Sequence, residues 1–317
     1  MIAILSPNYN PYFNIALEYY LLHELDEDIL LVYRNETSVI VGKHQNAFAE
    51  ANQQFIHQAN IPLVRRISGG GTVFHDLGNI NITIIRKGKL KFMDLLQPIR
   101  EVLYKLNIET EISEKNDLLV DKKKITGTAA HIYKEKTLHH ATLLYNASQE
   151  ILHKSLNGKK ECFIDKGVRS RPSPTINLID CLNVNYTNEQ FADFMWNELK
   201  QMYGVENVYK LNEHDVSVVN DLVKNKFSSW NWNYAFSPSF EFVNSIFEEG
   251  VLIQLSIQVK NGCIEKATLV NNGKTYELTV LNTSPFIQLE LINTLSDWSK
   301  KNCPTLKLSS FEKLLKF

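Results

Sequence analysis

The strongest constraint on the fold is the way short buried-strand runs interleave with helical stripes. Residues 29–34 (Ile-Leu-Leu-Val-Tyr-Arg) and 38–42 (Ser-Val-Ile-Val-Gly) are apolar runs too short for helices, and they read as buried strands. Ile80, Ile82 and Ile84 alternate in a third. Between these runs lie stripes at helical spacing. Phe13, Ala16, Leu17, Tyr20, Leu21 and Leu25 mark one over residues 11–25, and Leu95, Leu96, Ile99, Val102, Leu103 and Leu106 mark another. The second contains Pro98, which a helix tolerates in its first turn, where the missing N–H has no partner to lose. Residues 115–120 and 139–146 read as strands flanking a turn-rich segment. Thr187 with Gln190 makes a capping box before a helix running to about Tyr203. Strands and helices alternate without a strict βαβ rhythm, which predicts a mixed α/β sheet with packed helices, an α+β fold.

The pattern changes after about residue 240. Two alternating runs, 251–259 and 263–270, are separated by Lys260-Asn261-Gly262, a strong hairpin signal. A second Asn-Gly pair, Asn272-Gly273, leads into residues 276–281, and Phe286, Leu289, Leu291, Ile292, Leu295 and Trp298 form a last helical stripe. The chain of 317 residues is too long for one small domain. We expect a large domain over 1–243 and a separate small α+β domain over 246–317, with Ser237-Pro238-Ser239 marking a turn shortly before it.

The formal net charge of −1 argues against a nucleic-acid binder, whose binding face makes its domain basic. Cys162, Cys181, Cys263 and Cys303 are scattered with no CxxC spacing, so neither a zinc knuckle nor a redox motif is indicated. The apolar start Met1-Ile2-Ala3-Ile4-Leu5 lacks the basic residues and the length of a signal sequence, and no apolar run approaches the ~20 residues of a membrane span. These features suggest free thiols in the cytoplasm.

Chemistry concentrates in two segments. In Arg65-Arg66-Ile67-Ser68-Gly69-Gly70-Gly71-Thr72-Val73-Phe74-His75-Asp76, three of only 13 glycines stand side by side. Without Cβ atoms, their N–H groups can approach an anion closely, and the arginines can bind phosphate or carboxylate. No Gly-Lys-Ser/Thr follows, so this is not a Walker A loop, nor is it a GxGxxG fingerprint. The second segment is Lys123-Lys124-Ile125-Thr126-Gly127-Thr128-Ala129-Ala130, in which a strand-like stretch delivers Lys124, a compact charge able to neutralise an α-phosphate and a carboxylate together. Asn116-Asp117 could hold Mg²⁺ or an adenine edge, or be an ordinary turn. His139-His140 is a poor metal pair, because neighbours on a strand point to opposite faces. His75 reads equally as a core histidine or a site wall.

Residues 65–79, ending Asp76-Leu77-Gly78-Asn79, closely resemble the signature of lipoate–protein ligases. Val41-Gly42-Lys43-His44-Gln45-Asn46, Asn116-Asp117-Leu118, the Lys124–Ala129 run and His140 follow in family order. So do Lys166-Gly167-Val168-Arg169-Ser170-Arg171 and Ser228-Ser229-Trp230-Asn231-Trp232. Thr72 stands where Ala is common, and Thr126 and Thr128 where Ser is common.

The resemblance implies a biotin/lipoate ligase-like fold and an enzyme that activates lipoate with Mg·ATP to lipoyl-AMP. The lipoyl group would then pass to a lysine of an apo lipoyl domain of an E2 acyltransferase subunit or of the glycine-cleavage H protein. It implies that Arg66 contacts phosphate, that Gly71, Thr72, Val73 and Phe74 line the nucleotide and acyl site, and that Lys124 binds the lipoyl carbonyl and the α-phosphate. Asn116 and Asp117 would sit near adenine and Mg²⁺, while His75, Gly78 and His140 would wall a lipoate tunnel. An apolar tunnel discriminates chain length at only ~0.8 kcal/mol per CH₂, so octanoate is a plausible side substrate. Two other readings remain open: an ATP-independent carrier-to-carrier acyltransferase, with Cys162 as the candidate thioester residue, and a non-catalytic lipoate- or nucleotide-binding protein.

Overall fold

The computed structural model describes residues 1–317. Its strands are β1 (Ile2–Leu5), β2 (Ile29–Tyr33), β3 (Ser38–Val41), β4 (Leu63–Arg65), β5 (Val73–His75), β6 (Asn79–Lys87), β7 (Glu111–Ile112), β8 (Leu118–Val120), β9 (Lys123–Tyr133), β10 (Lys136–Leu144), β11 (Phe163–Asp165), β12 (Phe240–Glu248), β13 (Val251–Lys260), β14 (Cys263–Asn271) and β15 (Lys274–Glu277). Its helices are α1 (Pro11–Glu24), α2 (Ala47–Glu50), α3 (Gln53–Gln58), α4 (Met93–Tyr104), α5 (Gln149–Leu156), α6 (Asn188–Met202), α7 (Glu213–Leu222), α8 (Gln288–Asn302) and α9 (Leu308–Leu314). This is the mixed α+β class expected. The chain forms two compact units, one of residues 1–43, 64–152 and 170–229, the other of residues 44–63, 153–169 and 230–317. Residues 243–246, where the sequence suggested a division, lie within β12.

In the first unit a seven-stranded sheet runs β1-β2-β6-β10-β9-β8-β7, beside a three-stranded sheet β4-β3-β5. The β1–β2 pair is parallel and the other pairs of the large sheet are antiparallel. Ile80, Ile82 and Ile84 join Leu95, Ile99 and Leu103 of α4 and Phe191, Met195 and Leu199 of α6 in one core. The alternate positions of the same strands are polar, among them Asn81 and Thr83 on β6 and His140 and Thr142 on β10. α1 starts where Asn10 accepts from the N–H groups of Tyr12 and Phe13 and Pro11 takes the first helical position. The capping box of Thr187 and Gln190 opens α6 as expected.

Two expectations are corrected here. Pro98 lies inside α4, in its second turn rather than its first. A proline there leaves the carbonyl four residues back without a helical donor, and the Tyr203 hydroxyl takes that place, donating to the Asp94 carbonyl at 2.9 Å. The segment read as turn-rich between residues 120 and 139 is β9, an 11-residue strand bounded by two tight turns. Asp121, Lys122 and Lys134 adopt positive φ in those turns. Its small residues hid it from a hydrophobic pattern.

In the second unit, β11-β12-β13-β14-β15 form a five-stranded sheet. Phe163, Phe240, Phe242, Phe286 and Phe317 cluster in its core. Both Asn-Gly pairs, 261–262 and 272–273, have positive φ at both positions, as a two-residue hairpin turn requires.

Candidate active site

All the candidate site positions fall in the first unit. The glycine loop joins β4 to β5, and Arg66 is the residue that shapes it. The guanidinium is buried. Its Nε donates to Ser68 Oγ at 3.0 Å, Nη1 to the Ile40 carbonyl at 3.2 Å, and Nη2 to the carbonyls of Gly69 and Gly71 at 2.5 and 2.8 Å. Gly70 sits over this grip with φ +87°, a conformation that favours glycine. Arg66 thus holds the carbonyl side of the loop, leaving the glycine N–H groups out of that pattern. Arg65, fully buried, secures the preceding chain by donating to the carbonyls of Gly42 and Lys43 at 3.0 and 3.1 Å. Burial pulls both guanidinium pKa values down to about 10; the neighbouring charge adds to this for Arg65, while Glu18 and Tyr33 oppose it for Arg66.

Beyond the loop, the Thr72 N–H donates to Ser170 Oγ at 2.8 Å, and a Cβ on Gly71 would come within 3.1 Å of that oxygen. Val73 and Phe74 lie on β5 opposite Ile40 and Val39, with Phe74 buried.

Lys124 reaches the site through an irregularity. Residues 124 and 126 of a regular strand share a face. Here Leu118 pairs with Thr126 and Leu119 with Lys124, so Ile125 is an extra residue, and such bulges re-aim side chains. Lys124 therefore lies over Gly127: its Nζ is 3.0 Å from the position a Gly127 Cβ would take. A Cβ on Gly70 would in turn lie 3.8 Å from the Ala129 Cβ, so loop and lysine share one face of β9. The Lys124 main chain is clamped by residues 174–176, donating to the Pro174 carbonyl at 2.8 Å and accepting from Ile176 at 3.1 Å. Lys124 Nζ pairs with Asp117 Oδ1 at 3.0 Å. Asn116, at φ +59°, occupies the β7–β8 turn, where its carbonyl accepts from Thr128 Oγ1 at 2.9 Å.

The histidines divide as strand geometry requires. His139 faces the core side and stacks on Phe92 at 4.7 Å. His140 faces the site side, where Nε2 meets Ser68 Oγ at 2.7 Å and Nδ1 meets the Glu18 carboxylate at 3.0 Å. His75 Nδ1 accepts from Asn35 Nδ2 at 3.0 Å; Asn35 Oδ1 in turn accepts from Asn14 Nδ2 at 2.8 Å, which fixes that amide's orientation. Nε2 of His75 therefore carries the proton and donates to Thr142 Oγ1 at 3.0 Å. Burial, then Arg66 and His140, push the His75 pKa down to about 3. Gly78 has a packing role: a Cβ there would stand 2.0 Å from the Asn146 carbonyl oxygen, and its own carbonyl accepts from Tyr145 and Asn146 at 3.1 and 2.9 Å.

Three contributors went unread in the sequence as site residues: Glu18, Ser68 and Ser170. The available signal for Glu18 was a carboxylate inside the apolar stripe of α1, where it is fully buried. In the second unit, two of the family-like segments meet: Gln45 Nε2 donates to the Val168 carbonyl at 3.2 Å, and the Val168 N–H to the His44 carbonyl at 3.1 Å. Cys162 is buried there, and that burial pushes its thiol pKa up, away from nucleophilic thiolate.

The lipoyl protein ligase A/B catalytic domain model matches residues 10–200. Lipoate-protein ligase LplJ of Bacillus subtilis is 35% identical over 274 residues, covering 84% of this chain and 83% of the relative. Lipoate–protein ligase 1 of Staphylococcus aureus is 34% identical over 269 residues, covering 82% and 81%. Among solved structures, P. falciparum LipL1 in complex with lipoate aligns with TM-score 0.61 and 25% identity, over 95% of this chain and 94% of that one. A lipoate-protein ligase A bound with ATP shares the fold, with TM-score 0.61 and 23% identity over 74% of this chain and 98% of that one. With a family match over more than half its length and relatives above 30% identity along most of it, the chain belongs to the lipoate–protein ligase family.

Proposed function

We propose that this ATP-dependent lipoate–protein ligase runs both of its steps over the Gly69–Gly71 loop and Lys124. The lipoate carboxylate attacks the α-phosphorus of ATP, forming lipoyl-AMP and releasing pyrophosphate. The ε-amine of a carrier lysine then attacks the acyl carbonyl and AMP leaves. Each step builds negative charge on oxygens. Fixed donors aimed at such charge lower the barrier most, and positioning supplies much of the rest.

The observation that carries the reading is that Lys124 and the glycine loop share one face of β9. Lys124 neutralises the α-phosphate and the lipoyl carbonyl oxygen together. The loop's N–H groups receive phosphate, and Arg66 acts on it through the loop carbonyls it holds. Gly71, Thr72, Val73 and Phe74 line the nucleotide and acyl site. Asn116 and Asp117 stand on the adenine side, and His75, Gly78 and His140 belong to the lipoate end. Asp117 suits Mg²⁺, since one carboxylate plus substrate phosphates is a usual way to hold this ion, which supplies neutralisation of phosphate charge when bound.

The acceptors in this reading are apo lipoyl domains of E2 subunits and the glycine-cleavage H protein, with octanoate as a side substrate. Residues 246–317 fall within the second unit, which serves as the accessory domain in this reading. The four free thiols favour a cytoplasmic setting. No helix is long and apolar enough to cross a membrane.

The test is a mass measurement on purified apo lipoyl domain incubated with the protein and lipoate, with and without Mg·ATP. A lipoyl-sized gain that needs ATP is expected. A gain only from an acylated donor protein would replace the ligase with a carrier-to-carrier transferase, and pyrophosphate release is the readout a mere binding protein would lack.

A further inference from the structure

We propose that Glu18 is a positioning residue for adenylation, acting through His140 and Ser68 to hold the Gly69–Gly71 loop in the register that receives the nucleotide phosphates. The inference rests on the ligase reading above and adds two residues to it. Glu18 is fully buried on α1. Its carboxylate accepts from Thr83 Oγ1 at 2.5 Å and from Tyr33 Oη at 3.1 Å, and it meets His140 Nδ1 at 3.0 and 3.1 Å. A fully buried carboxylate is costly unless hydrogen-bonded and balanced by nearby charge. Burial raises the Glu18 pKa, but His140 and the two hydroxyls outweigh it and hold the group below the ordinary glutamate value. The buried Arg66 also feels its charge.

The direction of the hydrogen bonds turns this cluster into a chain. Arg66 Nε can only donate, so Ser68 Oγ accepts from it, and the same oxygen is hydrogen-bonded to His140 Nε2. Nδ1 of His140 carries a proton, because the Glu18 carboxylate it faces can only accept. Ser68 is also tied through its main chain, its carbonyl accepting from the Lys43 N–H at 2.9 Å. It is the residue that leads into the glycine triplet, and the Arg66 bonded to its Oγ also grips the carbonyls of Gly69 and Gly71. The carboxylate thereby sets the histidine, the histidine sets the serine, and serine and arginine set the loop. A Ser–His–Glu order also occurs in hydrolytic relays. Here Ser68 has no exposure and its oxygen already accepts from Arg66, so the chain transmits position rather than delivering a nucleophile.

The experiment is a double-mutant cycle on the full chain with Glu18→Gln, Ser68→Ala and the combination, read by lipoate-dependent ATP–pyrophosphate exchange, with Tm measured for each protein. Each single variant should lose about tenfold in kcat/KM for ATP, with the Tm of Glu18→Gln close to that of the parent. The double variant should be no worse than the weaker single, because both cut the same chain. Losses that multiply, or single variants with full kcat/KM, would overturn the proposal. If Glu18→Gln does not fold, the cycle of Ser68→Ala with His140→Asn carries the same test. A parent protein with no exchange would instead sink the ligase reading, so the two failures are distinguishable.

Discussion

Lys124 Nζ lies 3.0 Å from Asp117 Oδ1, and this pair exists because Ile125 is an extra residue in β9. The carboxylate holds the ammonium over Gly127, on the face where the glycine loop also rests. We expect Lys124→Ala to abolish lipoyl-AMP formation with an unchanged fold, since no other fixed cation is assigned to the α-phosphate. Asp117→Asn should fall by about ten- to a hundredfold, because it releases the Lys124 ammonium from its fixed position and removes the carboxylate proposed for Mg²⁺. Adenylate formation measured in single turnover checks both. Normal rates from Lys124→Ala would remove the lysine from the mechanism.

Gly127 has a consequence of its own. A Cβ there would meet Lys124 Nζ at 3.0 Å and Cε at 3.2 Å, the far end of a flexible side chain. Gly127→Ala should therefore cost little stability yet displace the ammonium. The expected result is a loss of about tenfold or more in kcat with Tm nearly constant. A large fall in Tm with full activity per folded molecule would point to packing instead.

The parts of this site differ in how far they could be read from residues alone. Asn261-Gly262 and the Thr187–Gln190 capping box are local devices, each specified by the turn or cap it makes, and both stand where expected. The glycine triplet is local in the same sense, with Gly70 at the positive φ that favours glycine. β9 was legible only as the strand-like stretch around Lys124 and not in its full length, because its site face consists of Gly127, Ala129 and polar residues, which give no apolar alternation. Nor was the bulge at Ile125, which depends on the register of β8. The tolerance of Pro98 beyond the first turn was not legible either, because its compensation comes from Tyr203, distant in sequence. Glu18 was hidden because its partners Thr83 and His140 come from strands that only the sheet brings together.

His75 makes stability depend on pH. Its pKa is about 3 in the folded protein and near ~6.5 when unfolded. Between these values the unfolded chain binds a proton that the folded one does not, so stability is full above ~6.5 and is lost as pH falls toward 3. Glu18, also held below its ordinary value, adds loss in the same direction at lower pH. The His75 contribution should be on the order of a few kcal/mol by pH 4. Urea unfolding from pH 7 to pH 4 should show a shallower decline for His75→Gln than for the parent; parallel curves would mean that His75 does not carry the dependence.

Gly78→Ala provides the opposite case to Gly127→Ala. The added Cβ would stand 2.0 Å from the Asn146 carbonyl oxygen, 2.3 Å from its carbon and 2.8 Å from the Ala147 nitrogen. These are backbone atoms, held by the bonds from Tyr145 and Asn146 to the Gly78 carbonyl and by the Ser148 N–H on Asp76 at 2.8 Å. None can swing aside as a lysine tip can, so relief requires breaking that junction. We expect a loss of about 3 kcal/mol or more in unfolding free energy and a low soluble yield. If Gly78 acts only as a wall for the acyl chain, the variant would instead keep its stability and shift the preference between lipoate and octanoate. Unfolding midpoint and acyl selectivity, measured on the same preparation, separate a packing glycine from a specificity glycine.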